Sequence, residues 1–260
     1  MSFSGRYALA KGEIGARRLA ILDEIQWPSS RALLRRAGLR RGMSFLDVGC
    51  GIGALTYRVA ALGVDAHGVD QDPGFVERAQ AKQSRAAFQV LEVQRLAEHE
   101  HRFDVVYARY LLSHLSDPLA AIHAMKSVAK SGGVIVIEDI DIATHIAEPR
   151  PAEMDRYIGL YTEVIRKRGA DPTLGKRLFH LAHEAGLHHS RASIQLTVLH
   201  GTTAKQLSSL TLLGIWEAAI AENIASESEL EEILQGLQTL ESNPRSVITA
   251  AATHQVFGRV

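Results

Sequence analysis

The stretch FLDVGCGIG at residues 45–53 decides the fold, because it is typical of a short strand that runs directly into a glycine turn. Ser44–Val48 is a short apolar run, as expected for a strand inside a sheet. Residues 55–62 then show helical periodicity, and residues 65–69 form a second predicted strand. Glycines let the backbone approach a ligand closely and expose N–H groups at the start of the helix, which suits a carboxylate or a phosphate.

The alternation of strands and helices continues toward residue 141. The predicted helices span 74–84 and 118–129, and the predicted strands span 87–91, 105–108 and 134–138. The unbroken apolar character of the last of these is what a strand buried on both faces requires. Strands that alternate with helices predict an α/β fold with a parallel sheet and right-handed crossovers.

The ends of the chain carry additional helices around this repeat. Two short helices, separated at Trp27 and Pro28, are predicted to precede the first strand. Beyond Asp141 the predicted helices span 152–168, 175–185, 204–222 and 227–241, and the predicted strands span 191–199 and 247–260. We therefore expect an N-terminal helical lid at 1–40, followed by a domain at 41–260. Its lid insertions, at about 142–175 and 202–242, fall at the carboxyl end of the sheet, where ligands bind in open α/β sheets.

The composition limits the class of partner. Lysine and arginine together number 29, as do aspartate and glutamate, so no net charge attracts nucleic acid or an anionic membrane. The single cysteine, Cys50, excludes an intrachain disulfide and suits a reducing compartment. No leader-like segment opens the chain and no apolar run is long enough to span a bilayer. We expect a cytoplasmic protein that acts on a small molecule, and its oligomeric state stays open.

The glycine turn alone is compatible with two kinds of cofactor. Gly49, Gly51 and Ala54 satisfy the dinucleotide fingerprint of NAD-binding proteins. Asp47, just before the glycines, is unfavourable beside a pyrophosphate but can accept hydrogen bonds from an ammonium group. Asp70 ends the second strand, where a carboxylate can accept both hydroxyl groups of a ribose. Because Asp70 would serve NAD equally well, these residues leave both cofactors open.

Further segments add a family resemblance. Residues 45–53, 68–70, 103–108 and 130–133 together resemble the class I S-adenosylmethionine-dependent methyltransferases, particularly the ubiquinone/menaquinone-biosynthesis-like group that methylates small molecules. The glycine turn matches the first motif of this family without departure. The resemblance implies S-adenosylmethionine as cofactor. It also implies a Rossmann-like, doubly wound, mostly parallel seven-stranded sheet with an antiparallel last strand and helical lid insertions.

The same resemblance implies a set of cofactor-binding residues. Asp70 would bind the ribose, Gln71 would lie beside the adenine, and Arg109 would face the cofactor. Glu92 and Val93 occupy the corner that holds the adenine amino group in the family, although this chain departs from the usual sequence there. The complete set is Tyr7, in an N-terminal segment that would fold over the cofactor, Asp47, Gly49, Gly51, Gly53, Asp70, Gln71, Glu92, Val93 and Arg109.

The implied reaction is in-line attack of the acceptor on the activated methyl group, so the protein mainly positions the reactants and excludes water. A hydroxyl or acidic carbon acceptor would need a general base within hydrogen-bond reach. His114 and Asp139 are the predicted catalytic residues, with Asp141 as a further candidate. Alternatively, His114 bonds a neighbouring loop and the two aspartates cap local turns. No metal ligand set is predicted.

Two other functions stay open at this stage. One is an NAD-dependent oxidoreductase, because the glycine fingerprint fits. The other is a methyltransferase homologue that binds the cofactor without catalysis. A nucleic-acid methyltransferase is disfavoured, because residues 108–111 lack the Asn/Asp-Pro-Pro-aromatic element that such enzymes carry after the fourth strand. The lid side chains Tyr157, Tyr161, Leu213 and Trp216 are expected to shape the acceptor site or simply to pack. The acceptor and its attacking atom are not determined.

Overall fold

The computed structural model describes residues 12–82 and 84–260, and these residues build an α/β fold around one large sheet. The sheet has seven strands, in the order β3-β2-β1-β4-β5-β9-β7. A separate short ladder joins β6 and β8. The strands are β1 (Ser44–Val48), β2 (Asp65–Asp70), β3 (Ala87–Val90), β4 (Phe103–Arg109), β5 (Ala129–Asp141), β6 (Ala147–Glu148), β7 (His188–Gln195), β8 (Val247–Ile248) and β9 (Ala252–Arg259).

The sheet confirms the predicted mostly parallel arrangement with an antiparallel last strand. β1 to β5 all run parallel to one another, whereas β9 runs antiparallel to both β5 and β7, between which it lies. Val106 of β4 and Ile137 of β5 are fully buried, as their apolar runs predict. Because β1 is flanked by β2 on one side and β4 on the other, the crevice at its carboxyl end is a topological switch point, where ligands bind.

Nine α-helices surround the sheet in the described part of the chain. They are α1 (Gly12–Arg36), α2 (Ala54–Ala60), α3 (Pro73–Gln80), α4 (Pro118–Ser127), α5 (Ala152–Lys167), α6 (Leu178–Glu184), α7 (Gly201–Lys205), α8 (Leu207–Ala221) and α9 (Glu227–Ser242). Within the described residues, no helix is long and apolar enough to cross a membrane.

The prediction of two N-terminal helices was wrong, because α1 continues through Pro28. Proline removes one helical hydrogen bond and therefore usually ends or kinks a helix. Here the residues on both sides of Pro28 are held by packing, with Ile21 before it and Leu33 and Leu34 after it all buried. Burial on both sides of the proline therefore outweighs the local preference for a break.

Other differences concern the ends of elements. β5 extends over 129–141 rather than 134–138. It therefore includes residues 130–133, where Gly132 has a left-handed φ of 72°. The predicted strand over 247–260 divides into β8 and β9. Thr249, between them, donates its N–H to the carbonyl of Ile146. A single-sequence pattern does not encode this long-range bond, which bends the chain between the two strands.

The inserted helices have a hydrophobic core of their own. Met154, Tyr157, Leu212, Ile215 and Leu237 belong to a buried cluster built mainly from α5, α8 and α9. We call this cluster the lid core. The division into a lid at 1–40 and a domain at 41–260 stays a prediction, although the lid core agrees with inserted segments that pack on one another.

We predict that Leu212→Ala lowers the free energy of unfolding by about 2–5 kcal/mol, because Leu212 is fully buried in the lid core. Urea denaturation followed by circular dichroism measures the change. Leu196→Ala is the matched control, because Leu196 is 47% exposed and its truncation should change stability by less than about 0.5 kcal/mol. Equal midpoints for Leu212→Ala and the wild-type protein would contradict the assignment of a packed lid core.

A buried carboxyl group makes the stability of the lid depend on pH. Burial raises the pKa of Glu241 from 4.5 to about 7, against the hydrogen bonds that the backbone and hydroxyl of Ser209 donate to it. The folded state therefore holds this proton more tightly than the unfolded state. The resulting stabilisation is complete below about pH 4.5 and is lost as the pH rises through about 7.

We therefore expect wild-type protein to lose stability relative to Glu241→Gln between pH 5 and pH 8. Thermal unfolding of both proteins across this range measures the difference, in which contributions from other titrating groups cancel. Glu184→Gln, at an exposed position of α6, should track the wild-type protein throughout. Parallel curves for wild type and Glu241→Gln would show that Glu241 does not titrate as its burial requires.

Candidate functional site

The glycine turn adopts a conformation that only glycine enters readily. Gly49, Gly51 and Gly53 have φ values of 74°, 53° and 72°, all in the left-handed region that carries a steric cost for other residues. The N–H groups of Gly49 and Cys50 both donate to the carbonyl of Val69, at 2.8 and 3.0 Å. The turn is thereby attached to the end of β2, which carries Asp70, the predicted ribose-binding residue.

Asp70 is held at the carboxyl end of β2 by backbone hydrogen bonds. The N–H of Gly51 donates to Asp70 Oδ2 at 2.8 Å, and the N–H of Asp72 donates to Oδ1 at 2.9 Å. These bonds orient the carboxylate and link it to the glycine turn. The glycine turn and Asp70, both predicted parts of the cofactor site, are therefore in direct contact in the structure.

A cavity with polar and apolar walls lies at this switch point, and we call it the nucleoside cavity. Its polar side carries Asp70 and Gln71 beside the backbone of Gly49 and Gly51. Its apolar side chains are Leu19, Val48, Phe75, Leu91, Val93, Leu111 and Leu115. A fixed carboxylate suits a ribose diol and aliphatic walls suit a purine, so the residues present fit the adenosine part of S-adenosylmethionine.

Two of the predicted cofactor residues, Glu92 and Gly53, line neither this cavity nor the smaller cavity next to it. Glu92 is exposed, and Leu91 and Val93 line the wall on either side of it. Gly53 lies outside the cavity, because it precedes α2 and faces Phe88, whose Cε1 would lie only 2.6 Å from an added Cβ. Gly53 is therefore required for packing. Tyr7 lies outside the described residues.

Asp47 and Arg109 line a smaller cavity next to the nucleoside cavity. Asp47 is buried and accepts a hydrogen bond from Thr56 Oγ1 at 2.7 Å, and burial raises its pKa to about 7. Arg109 donates to Asp23 of α1 at 2.8 Å and to Ser30 Oγ at 3.2 Å. Asp23 also pairs with Arg58 of α2. Nothing in the sequence pattern singled out Asp23, because its role depends on how α1 packs.

A third cavity lies beneath α1, and we call it the acceptor cavity. Leu111 and Leu115 line the nucleoside cavity, and Tyr110 and His114 of the same loop line the acceptor cavity, so the two cavities flank one segment. The other lining residues are Arg18, Leu22, Gln26, Ile140, Ile142, His145, Tyr157, Tyr161, Leu207, Ser208, Thr211, Ala250 and Ala251. Of the lid side chains considered from sequence, Tyr157 and Tyr161 line this cavity. Leu213 and Trp216 do not.

The two predicted catalytic residues lie in different environments. His114 lines the acceptor cavity, and burial together with the charge of Arg18 lowers its pKa to about 3. Asp139 does not line this cavity. Its two oxygens accept the N–H groups of Ser113 and Ile140, both at 2.9 Å, and burial raises its pKa to about 6. Asp139 therefore anchors the loop before His114, and its catalytic role stays a prediction.

Asp141 likewise caps a turn. Its Oδ1 accepts the N–H of Ala143 at 3.1 Å, which is the capping alternative considered from the sequence. The structure instead brings His145, which sequence reasoning missed, to the acceptor cavity. His145 Nδ1 lies 2.9 Å from the carbonyl oxygen of Thr249, and burial lowers its pKa to about 4. Its only signal in the sequence is its place shortly after the fifth strand.

The glycine turn generates a test that separates backbone strain from crowding. Gly53 and Gly132 share a φ of 72°, but a Cβ at Gly132 would meet no atom within 4 Å. Gly132→Ala should cost about 1–2 kcal/mol of unfolding free energy, the cost of the left-handed backbone alone. Gly53→Ala should cost clearly more, because it also displaces Phe88.

Chemical denaturation of both variants measures the two costs, and Phe88→Leu combined with Gly53→Ala should recover part of the difference. If the two glycine variants lost the same stability, the close packing of Phe88 on Gly53 would play no part in holding the turn.

Comparisons with known proteins agree with this geometry. A family model described as a methyltransferase domain matches residues 39–186. The ubiquinone biosynthesis O-methyltransferase of Pseudoalteromonas translucida is 34% identical over 101 residues, which are 37% of this chain and 43% of that protein. Phosphoethanolamine N-methyltransferase 1 of Triticum aestivum is 29% identical over 171 residues, 62% of this chain and 31% of that protein. The match therefore spans less than half the length of these curated relatives.

Solved structures show the same fold at low identity. Phosphoethanolamine N-methyltransferase 2 of Haemonchus contortus, in complex with S-adenosyl-L-methionine, has a TM-score of 0.57 at 16% identity, covering 99% of this chain and 60% of that one. The cyclopropane synthase MmaA2 of Mycobacterium tuberculosis has a TM-score of 0.56 at 18% identity, covering 91% and 85%. Because the family match alone spans more than half of the residues, the chain belongs to the methyltransferase domain family.

Proposed function

We propose that this domain transfers the methyl group of S-adenosylmethionine to a small-molecule acceptor bound beneath α1. The observation that carries the proposal is the pair of cavities on either side of residues 110–115. One has the walls of a nucleoside site, and the other is enclosed by lid helices. A cofactor in one cavity and an acceptor in the other would therefore both contact this loop and lie close to each other.

The nucleoside cavity would hold the cofactor through the predicted residues that line it. Asp70 would accept the ribose hydroxyls, and Leu91 and Val93 would contact the adenine. Asp47 and Arg109, in the adjoining smaller cavity, would lie toward the methionine end. The bound cofactor supplies a methyl group activated by a positively charged sulfur. The residues of this chain position both reactants and keep water away from the reacting atoms.

The acceptor cavity favours a small molecule over a macromolecule. Its walls come from α1, α5, α8, the loops after β4 and β5, and the segment with Ala250 and Ala251, so several elements surround a ligand of small size. The formal net charge of zero agrees with this. Names of the relatives, which refer to ubiquinone biosynthesis and phosphoethanolamine, point to small acceptors in those proteins. The single free thiol, Cys50, supports a reducing cytoplasmic location.

We predict that S-adenosylhomocysteine binds the purified protein with micromolar affinity and that Asp70→Ala loses this binding, because the anchored carboxylate can no longer accept the ribose hydroxyls. Isothermal titration calorimetry measures both, with NAD as the competing ligand. Asp65→Ala, at the exposed other end of β2, is the control and should bind like the wild-type protein. Binding of NAD in preference to S-adenosylhomocysteine would overturn the cofactor assignment in favour of an oxidoreductase.

An acceptor screen separates an enzyme from a cofactor-binding homologue that has lost catalysis. We expect formation of S-adenosylhomocysteine from S-adenosylmethionine to depend on an added small-molecule acceptor. Tight cofactor binding with no transfer to any hydroxyl, amine, thiol or carbon acceptor would favour the non-catalytic homologue.

A further inference from the structure

Two buried polar side chains of the acceptor cavity each have an oxygen atom without a hydrogen-bond partner among the described residues. Gln26 of α1 and Ser208 of α8 both line the cavity and are each only 1% exposed. Within residues 12–82 and 84–260, neither Gln26 Oε1 nor Ser208 Oγ has a hydrogen-bond partner. Leaving a buried polar atom unsatisfied costs about 1–3 kcal/mol. A polar group of a bound ligand that meets both atoms would remove this cost.

A third polar side chain, His145, is held in a fixed orientation. Arg150 Nη1 donates to the carbonyl of His145 at 2.7 Å. The N–H of Ile146 donates to Thr249 Oγ1 at 2.9 Å, and the N–H of Thr249 donates to the carbonyl of Ile146 at 2.9 Å. The segment that carries the imidazole is thus bonded on both sides, and the ring keeps its place in the wall of the cavity.

The contact with Thr249 also selects the tautomer of His145. A carbonyl oxygen can only accept, so Nδ1 of the imidazole carries the hydrogen and donates it across the 2.9 Å contact. In the neutral ring the lone pair therefore lies on Nε2. Because burial lowers the pKa of His145 to about 4, the ring is neutral at neutral pH and Nε2 can accept a proton.

The charge of the cavity selects the kind of acceptor. Arg18 is the one permanently charged side chain among the described residues that line it, and no carboxylate lies in that set. Arg18 also lowers the pKa of His114, which faces the same space. An ammonium group would therefore meet a like charge here, whereas an oxygen that becomes negative as it loses its proton would be stabilised.

We propose that His145 is the general base for a hydroxyl acceptor and that Gln26 and Ser208 together bind a second hydroxyl group of the same molecule. A hydroxyl group donates one hydrogen bond, here to Gln26 Oε1, and can accept another, here from Ser208 Oγ. The acceptor class is then an uncharged molecule with at least two hydroxyl groups, one of them acidic. This inference rests on the proposed methyl-transfer function.

The reacting hydroxyl transfers its proton to His145 Nε2, and its oxygen forms a bond to the methyl carbon. The bond between that carbon and the sulfonium sulfur breaks, and its electron pair returns to sulfur. The products are a methyl ether, S-adenosylhomocysteine and a protonated His145, which then releases its proton to water.

The test makes two measurements with 4-nitrocatechol, which has two hydroxyl groups. The first is its binding to protein saturated with S-adenosylhomocysteine, followed by visible absorbance, and the second is methyl transfer to it from S-adenosylmethionine, followed by formation of S-adenosylhomocysteine. His145→Asn keeps a donor for the Thr249 carbonyl but lacks Nε2. This variant should bind S-adenosylhomocysteine and the probe with affinities close to wild type, while the rate of methyl transfer falls by about 100-fold or more.

Gln26→Leu and Ser208→Ala should each weaken binding of the probe by about twofold to tenfold, the range that one hydrogen bond supplies, and should keep most of the methyl transfer at saturating probe. His123→Asn and Ser242→Ala are matched controls at exposed positions of α4 and α9, and they should change neither readout.

Each outcome bears on a separate part of the inference. Methyl transfer by His145→Asn at the wild-type rate would overturn the assignment of the base. Unchanged affinity in Gln26→Leu and Ser208→Ala would overturn the site for the second hydroxyl group. If S-adenosylhomocysteine binds wild-type protein and 4-nitrocatechol does not, this inference fails alone, whereas failure of S-adenosylhomocysteine to bind overturns the proposed function itself.

Discussion

The buried ion pair between Asp23 and Arg109 fixes the helix on which every part of the site depends. Asp23 is 3% exposed and Arg109 12%, so the pair joins α1 to the end of β4 away from bulk water. Leu19 of α1 lines the nucleoside cavity, Asp23 itself lines the smaller cavity, and Gln26 lines the acceptor cavity. A buried charge without its partner is strongly unfavourable, so the ion pair holds α1 in one position on the sheet. Residues of α1 thereby form a wall common to the three cavities.

A second polar network supports the same helix from the centre of the sheet. The hydroxyl of Tyr107 in β4 donates to Glu138 of β5 at 2.5 Å. Gln255 of β9 donates to Glu138 at 2.9 Å and to Ser29 of α1 at 2.8 Å. The antiparallel strand β9 therefore does more than complete the sheet, because its side chain connects the sheet to the helix above it. Fully bonded buried networks of this kind favour one arrangement over its alternatives.

Sequence reasoning succeeded where the deciding interactions are local. The glycine turn, β1, β2 and Asp70 lie within about thirty residues, and their pattern predicts the strands and places Asp70 at the end of the second one. Sequence reasoning failed where the deciding partner is remote. His145 gains its tautomer from Thr249, more than a hundred residues later, and the continuity of α1 through Pro28 depends on packing. The anchoring contact of Asp139 with Ser113 lies in the loop after β4, which the pattern around residue 139 does not reveal.

The position of α1 across both ligand cavities has a consequence for how the ligands influence each other. Side chains of one helix, Leu19 and Gln26, contact the two sites. If either ligand shifts this helix, the wall of the other cavity shifts with it. Any coupling between their affinities then passes through α1 without contact between the ligands, and its free energy is equal in the two directions.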